Sequence, residues 1–276
     1  MRIVYYTNCQ CKGLDFFLRK SMDYEKFHVE NYGLIANKHS IPINIIEKAD
    51  IFIYQPIDKK HGIYSTDITV DGNIMSYLPS NCKVISFPYI YNSSLWPLIP
   101  PCKVDGLIGD YSEIDKYINK EVIEELKYKG FSLNQVLHMY KSGKIDFQYD
   151  KRFKQSIEIL KKKESLCNVK VSDFIINNIS KYRLFLTQNH PTTCVFIHCV
   201  NQILSILGSS DKYDLFAYSE NECSLSGEWP NSSYDSRFWK FHYIVDVQDN
   251  FYIDHITYIY NAFSVKRKNK IKMCLI

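Results

Sequence analysis

Three apolar runs constrain this chain more than anything else in it, because all three end in the same manner. Ile3 to Tyr6 stops at Asn8-Cys9-Gln10; Asp50-Ile-Phe-Ile-Tyr-Gln55 ends in a polar residue and Pro56; Lys83-Val-Ile-Ser-Phe87 stops before Pro88. Helical stretches separate them: about Cys11 to Lys20, with Leu14, Phe17 and Leu18 on one face, then Ile43 to Lys48 and Thr69 to Leu78, the last weakened by Gly72. Phe27 to Asn31 supplies another strand. Alternation of this kind predicts a mostly parallel sheet with crossover helices. In such sheets ligands sit beyond the carboxyl ends of the strands. If the strands are neighbours, the three polar ends meet at one crevice.

The middle of the chain changes character. Ser112 to Lys129, Ser132 to Lys141 and Asp150 to Lys163 are helical and charged, and Ser172 to Ile179 reads as another helix. Ser132-Leu-Asn-Gln135 has the form of a capping box, a hydroxyl three residues ahead of a glutamine. Tyr182 to Thr187 returns to strand character, followed by Gln188-Asn189-His190-Pro191 and a long apolar helix from about Thr192 to Leu207, ending at Gly208. Ile253 to Phe263 is a helix or a strand; its periodicity fits both. The expected organisation is an α/β half over 1–110 carrying Asn8-Cys9-Gln10, a helical insertion over 111–180, and a return to the α/β core over 181–276. The fold class is therefore α/β, compatible with an SGNH-like topology, plus a helical subdomain.

Two residues stand where chemistry is favoured. Cys9 lies at a strand-to-helix junction, where the unpaired N–H groups of a first helical turn favour negative charge. Such a setting lowers a thiol from its usual pKa of ~8.5 and holds the nucleophilic thiolate. His190 precedes Pro191, which pushes it toward extended backbone, and it stands at the expected start of a helix, which disfavours imidazolium. A neutral imidazole accepts a proton from a thiol or a hydroxyl, so Cys9 and His190 form a candidate nucleophile–base pair. Asn8, Gln10, Gln55 or backbone N–H groups are candidate oxyanion donors. Each signal has a plain structural reading: Cys9 as packing, His190 as a cap, Gln55 as the end of a strand.

Bulk properties remove other classes. Hydrophobic residues make up 46% of the 276, enough for a substantial core. No apolar run approaches the ~18 residues of a membrane span, and no charged-then-apolar leader precedes the first strand. The nine cysteines are odd in number and scattered, which reads as a reduced, cytoplasmic protein. A net charge of +4 is too mild for nucleic-acid binding. The one dense basic cluster, Lys266-Arg267-Lys268-Asn269-Lys270, is a solvated tail or an anion or membrane-surface contact. Cys9 and Cys11 lack a second ligand pair at zinc spacing, so no metal site is expected. His198-Cys199 falls inside an apolar helix and reads as core, Asp254-His255 is unsupported as a pair, and no nucleophile elbow, P-loop or dinucleotide fingerprint occurs.

Asn8-Cys9-Gln10 after the first strand, Asp50 to Gln55, Ile85-Ser-Phe-Pro-Tyr-Ile90, and Asn189-His190-Pro191-Thr192 before an apolar helix resemble, in this order, the WcbI family of capsular polysaccharide biosynthesis acetyltransferases. The resemblance covers roughly residues 1 to 210. It implies an enzyme that binds coenzyme A and transfers an acetyl group from acetyl-CoA to the hydroxyl of a sugar nucleotide or glycan, in association with a polysaccharide assembly complex. Cys9 and His190 become the catalytic residues, and Asn8, Gln10, Gln55, Pro88 and Asn189 line the pocket. Lys12, Arg19 and Arg183 lie near the motifs and are assigned to the phosphates of coenzyme A. One departure is Thr7, where the family has glycine, a residue that permits close backbone approach. Two other classes stay open: an acyl esterase of the same fold, with water replacing the sugar, and a non-catalytic glycan-binding module using Trp96, Trp229 and Trp239 for stacking.

Overall fold

A computed structural model of the chain describes residues 1–92, 94–96, 120–223, 228–243 and 247–263. The first part of the expected 112–129 helix, the cluster at 266–270, Cys102 and Cys274 lie outside the described residues. The chain divides into two compact units. Unit 1 is Met1–Asn92 with Gln155–Glu228, and unit 2 is Ser93–Lys154 with Trp229–Ile276.

Unit 1 is built on β1 (Arg2–Thr7), β2 (Glu25–Glu30), β3 (Ile51–Tyr54) and β4 (Lys83–Ser86), in the order β2-β1-β3-β4. Every pairing is parallel, and the register aligns Tyr6 with Tyr54 and Tyr54 with Ser86. The alignment explains why the polar termini meet: the residues that follow these three leave the sheet at one edge. Connections run through α1 (Cys11–Ser21), α2 (Asn31–Ala36) and α3 (Ile43–Ile46). Over the expected 69–78 helix only Ile74–Tyr77 winds, as a single 3₁₀ turn. Gly72 at φ +62° interrupts the chain before it, and Asn73 caps the turn by accepting from the Met75 N–H.

One sheet face carries Val4, Tyr6, Phe52 and Val29, packed with Ile46, Ala49 and Ile74. α1 contributes buried Cys11, Leu14, Phe17 and Leu18. It packs against α8 (Thr193–Leu207), the long apolar helix. The approach is close at Gly13, where an added Cβ would stand 2.4 Å from the Phe196 ring, so only glycine fits. α8 ends at Gly208 in the left-handed conformation, φ +81°, as the sequence predicted. α7 (Ser172–Asn178) and a two-stranded ribbon, β5 (Phe185–Thr187) and β6 (His190–Pro191), complete unit 1.

Unit 2 is helical. It holds α4 (Lys120–Tyr128), α5 (Leu133–Lys141), α9 (Ser233–Trp239) and α10 (Asp249–Ala262), and the first residues of α6 (Tyr149–Glu164). The Ser132 capping box is present in full, and 249–262 resolves to helix, not strand. Val136, Tyr140, Phe147, Tyr149, Tyr234, Tyr252 and Ile256 belong to the core. The sequence reading missed α9, which opens with a second capping box, Ser232 with Asp235. Among the described residues no helix is long and apolar enough to cross a membrane, and no group of three His, Cys, Asp or Glu side chains is placed to hold a metal ion.

Candidate active site

β1 delivers Asn8-Cys9-Gln10 at the sheet edge as a tight turn into α1. Gln10 is fully buried and organises everything around it. Its Nε2 donates to the carbonyls of Ile90 at 2.7 Å and Asn189 at 2.8 Å. Its Oε1 accepts from Gln55 Nε2 at 2.9 Å and from the Ile90 N–H at 3.2 Å. Gln55, 3% exposed, accepts from the Asn8 N–H at 3.0 Å. Main-chain donors and acceptors thus fix the orientation of both side-chain amides. Four separate segments, those of Asn8, Gln55, Ile90 and Asn189, are joined through one glutamine.

This spends the two amides expected to stabilise an oxyanion. Both donors of Gln10 go to carbonyls, and the carboxamide of Gln55 is tied to Gln10 and to Asn8. Both side chains position the loop. Asn8 differs: its Oδ1 accepts from the Gln10 N–H at 3.0 Å, and among the described residues nothing accepts from its Nδ2. Thr7 introduces no backbone strain, since it belongs to β1 and is absent from the left-handed residues among those described. Its hydroxyl donates to the Asn8 carbonyl at 2.9 Å.

Cys9 is half-buried. Burial is the strongest influence on its thiol and raises the pKa; Lys12 and the residue's own N–H pull it down, Glu30 pushes it up, and the net shift is upward. The expected thiolate is therefore replaced by a neutral thiol near pH 7, because desolvation outweighs the single nearby cation. Glu30 is the cap of α2, accepting from the Tyr32 and Gly33 N–H groups. His28 Nε2 lies 3.1 Å from the Thr7 carbonyl. Neither residue was expected here; the parallel register, which sets His28 opposite Tyr5 and Glu30 opposite Thr7, accounts for both.

His190 stands in β6, directly after the Gln188–Asn189 turn, and pairs with Thr187. Its backbone is extended, as Pro191 requires. It is not at the helix start: α8 begins at Thr193 and Thr192 is its N-cap, so the helix-terminus argument for its charge lapses. The turn before it is held firmly. Tyr91 OH donates to Gln188 Oε1 at 2.8 Å, the Asn92 N–H donates to the Gln188 carbonyl at 2.8 Å, and Thr187 Oγ1 donates to Asn189 Oδ1 at 3.1 Å. The Gln10–Asn189 bond then links the residue after Cys9 to the residue before His190. Pro88 is buried in the segment between β4 and Ile90.

Lys12 is exposed in the first turn of α1, close enough to influence Cys9. Arg19 and Arg183 have partners within the fold. Arg19 Nε contacts both oxygens of Asp15 at 3.1 Å, and its guanidinium lies over Tyr24. Arg183 is paired with Glu228 and, at 3.8 Å, with Glu220. The other candidates read as structural remain so: Cys199 is fully buried, His198 stacks on Phe174, and His255 is buried. The seven cysteines among the described residues are free of disulfides.

No protein of curated function matches the chain. Among solved structures, that of WcbI, a novel polysaccharide biosynthesis enzyme, in its native form without a disulfide bond between coenzyme A and one of its cysteines, superposes with a TM-score of 0.62. It is 16% identical and the match covers 95% of this chain and 90% of that one, a likeness of fold. The fold is thus shared from the parallel sheet through the helical unit, and the sequence adds the lineage. The family model of the polysaccharide biosynthesis enzyme WcbI matches residues 2–212, and the chain belongs to that family.

Proposed function

We propose that this protein transfers an acetyl group from acetyl-CoA to a hydroxyl of a sugar nucleotide or glycan acceptor during surface polysaccharide biosynthesis. The observation that carries this reading is the Gln10–Asn189 hydrogen bond, which holds the Cys9 turn and the His190 ribbon side by side. Family membership supports a role in polysaccharide biosynthesis, and the coenzyme A named with the solved WcbI structure supports the donor. Acetyl-CoA is a cytoplasmic metabolite, which places the reaction there, with peripheral association to an assembly complex.

A thiol held above its ordinary pKa sets the order of proton transfers in this reading. Cys9 meets the thioester as a thiol, so a base must take its proton as sulfur attacks, and His190 is that base. Nδ2 of Asn8 and the N–H of Cys9 face the developing oxyanion. The tetrahedral adduct expels the coenzyme A thiolate, His190 returns the proton to it, and Cys9 carries the acetyl group. The acceptor hydroxyl then attacks the cysteine thioester, giving its proton to His190; the C–S bond breaks, the acetyl ester of the acceptor is released, and His190 returns the proton to the Cys9 thiolate. Lys12 contributes one positive charge toward the coenzyme A phosphates; Arg19 and Arg183 stay with their carboxylates.

Incubation with acetyl-CoA in the absence of acceptor is expected to add one acetyl group to Cys9, read by intact and peptide mass spectrometry. Cys9→Ala should abolish both adduct and transfer while the protein still folds. Transfer at wild-type rate in Cys9→Ala would show His190 activating the acceptor directly. Ester cleavage without any need for coenzyme A would identify an esterase instead.

A further inference from the structure

The polar groups of unit 2 include a set that the Cys9 chemistry does not use. Between α5 and the first residues of α6 the burial alternates from Ile145 to Asp150. Ile145, Phe147 and Tyr149 enter the core; Asp146, Gln148 and Asp150 face outward. Opposite them α9 presents Arg237 and Phe238. Between them lies a cavity of about 760 Å³, within the size range of small-molecule sites.

Its lining has a specific chemistry. Phe238 stacks on Tyr149 with centroids 4.5 Å apart, yet remains 38% exposed, leaving part of an aromatic ring at the cleft. Arg237 is held in place: Nε donates to the Ser233 carbonyl at 3.1 Å and the guanidinium lies over Tyr234. Gly143, at φ +73°, lies beside it, and a Cβ there would be in ordinary van der Waals contact with the guanidinium at 3.8 Å. Asp146 Oδ1 accepts from the Gln148 N–H at 2.8 Å. Gln148 itself holds φ +54°, a conformation that costs a residue with a Cβ on the order of 1 kcal/mol. The fold keeps a glutamine there although glycine would sit more easily.

We infer that this cleft in unit 2 is a saccharide-binding site, with the Phe238 ring as the stacking platform and Asp146, Gln148, Asp150 and Arg237 as the hydroxyl-recognising groups. Carboxylates and amides accept from vicinal hydroxyls, guanidinium donates to them, and an exposed ring packs on the C–H face of a pyranose. Two acidic side chains, Asp146 and Asp150, face two basic ones, Lys151 and Arg237. With no net sign, the cleft suits a neutral saccharide better than a nucleotide or coenzyme A. Membership of a polysaccharide biosynthesis family supplies such a ligand. The tryptophans, the obvious stacking residues in the sequence, are otherwise engaged: Trp96 is buried edge-on to Trp229, and Trp239 packs on Phe153 and Phe241.

The full chain should be probed on an array of immobilised bacterial surface polysaccharides, with coenzyme A affinity measured alongside by calorimetry. At least one neutral polysaccharide is expected to be retained, and Phe238→Ala should weaken it tenfold or more. Because Phe238→Ala removes a packed ring, Gln148→Gly is the decisive partner: it relieves the backbone while deleting the amide. It should fold with unchanged or higher Tm and lose fivefold or more in binding. Coenzyme A binding should be untouched in both, so failure here is separable from failure of the transfer reading. No retention by the wild type, or retention at the wild-type level by either variant, would overturn the assignment.

Discussion

Two buried polar hubs, one behind Cys9 in unit 1 and one in unit 2, are built with different chemistry. The hub behind Cys9 is made of carboxamides, and the buried carboxylates of unit 1, Asp15 and Glu164, are held apart from it by partners of their own. Gln10 and Gln55 are neutral at every physiological pH, and each of their bonds is to a main-chain group or to each other. In unit 2 the buried hub is ionisable. Asp235, fully buried, accepts from Tyr149 OH at 2.5 Å, from the Ser232 N–H at 2.6 Å and from Ser232 Oγ at 2.7 Å. Close by, Asp249 accepts from Tyr140 OH at 2.9 Å. The difference teaches where precision and where pH sensitivity reside: an amide hub sets geometry without titrating, whereas a buried carboxylate ties stability to protons.

The largest effect should come from breaking the amide hub. Gln10→Ala strands the Ile90 and Asn189 carbonyls, the Ile90 N–H and the Gln55 carboxamide in a buried site. Unsatisfied groups of this kind cost about 1–3 kcal/mol each, and with partial relaxation a total of about 3 kcal/mol is expected in denaturant titration. Gln10→Glu tests the same point more finely, since a carboxylate cannot donate to the two carbonyls. The Gln10→Ala loss should not change between pH 5 and 8, whereas the Gln10→Glu loss should grow with pH, because burial resists ionisation of the new carboxyl. In both, acetyl transfer should fall by more than the folded fraction does, because the Cys9 and His190 segments lose their link.

Much of unit 1 was legible in sequence because its signals are local. Unbroken β-favouring runs marked β1, β3 and β4, and their polar ends fall at one edge of the sheet, as the sequence implied. Capping chemistry gave the start of α5, and Gly208 the end of α8. What stayed hidden depends on tertiary partners. Gln10 and Gln55 read as pocket donors because an amide's partners are fixed only when Ile90 and Asn189 arrive, 80 and 179 residues along. Cys9 read as a thiolate because burial, which the sequence does not display, outweighs Lys12. Arg19 and Arg183 read as phosphate ligands because Asp15, Glu220 and Glu228 had no visible claim on them. In unit 2, α9 escaped notice since its seven residues carry too little periodicity to register.

The ionisable hub sharpens the comparison through pH. Burial pushes the Asp235 carboxyl up to about 6, against the opposing pull of the Tyr149 and Ser232 hydrogen bonds. Unfolded, an aspartate ionises near pH ~3.9. Between these values the native state keeps a proton that the unfolded state has lost, so this group makes stability fall as pH climbs from about 4 to about 6, and contributes a level cost above. Asp249 acts the other way in a lower window. Burial raises it, but hydrogen bonds from Ser233 and Tyr140 prevail and hold it below its ordinary value, so its contribution is present above about pH 4 and lost as pH falls further. Asp235→Asn removes the titration and keeps one acceptor oxygen, which serves Ser232, while the new NH2 donates to the Tyr149 hydroxyl oxygen. Urea midpoints measured from pH 4 to 7 should lose the downward slope in this variant. A slope as steep as the wild type's would mean that Asp235 is not the buried group responsible.

The smallest effect tests Lys12, the cation that acts on Cys9 among the described residues. Burial dominates at Cys9 and Lys12 opposes it, so removing the lysine leaves desolvation with less opposition and moves the thiol further up. Iodoacetamide labelling of Cys9, followed by peptide mass spectrometry across pH 7 to 10, should show a wild-type thiol slower than a model thiol at neutral pH. Lys12→Ala should slow it again by about two- to threefold at pH 8, and added salt should shrink that difference because the charge is exposed. Lys12→Arg should restore the rate. A variant unaffected by salt and by the restored charge would place the control of Cys9 in the amide-built turn alone, making the unit 1 site wholly neutral in its design. The Lys12 effect would then have to be sought on coenzyme A affinity, where loss of a phosphate partner raises KM and leaves the acetyl-cysteine step intact.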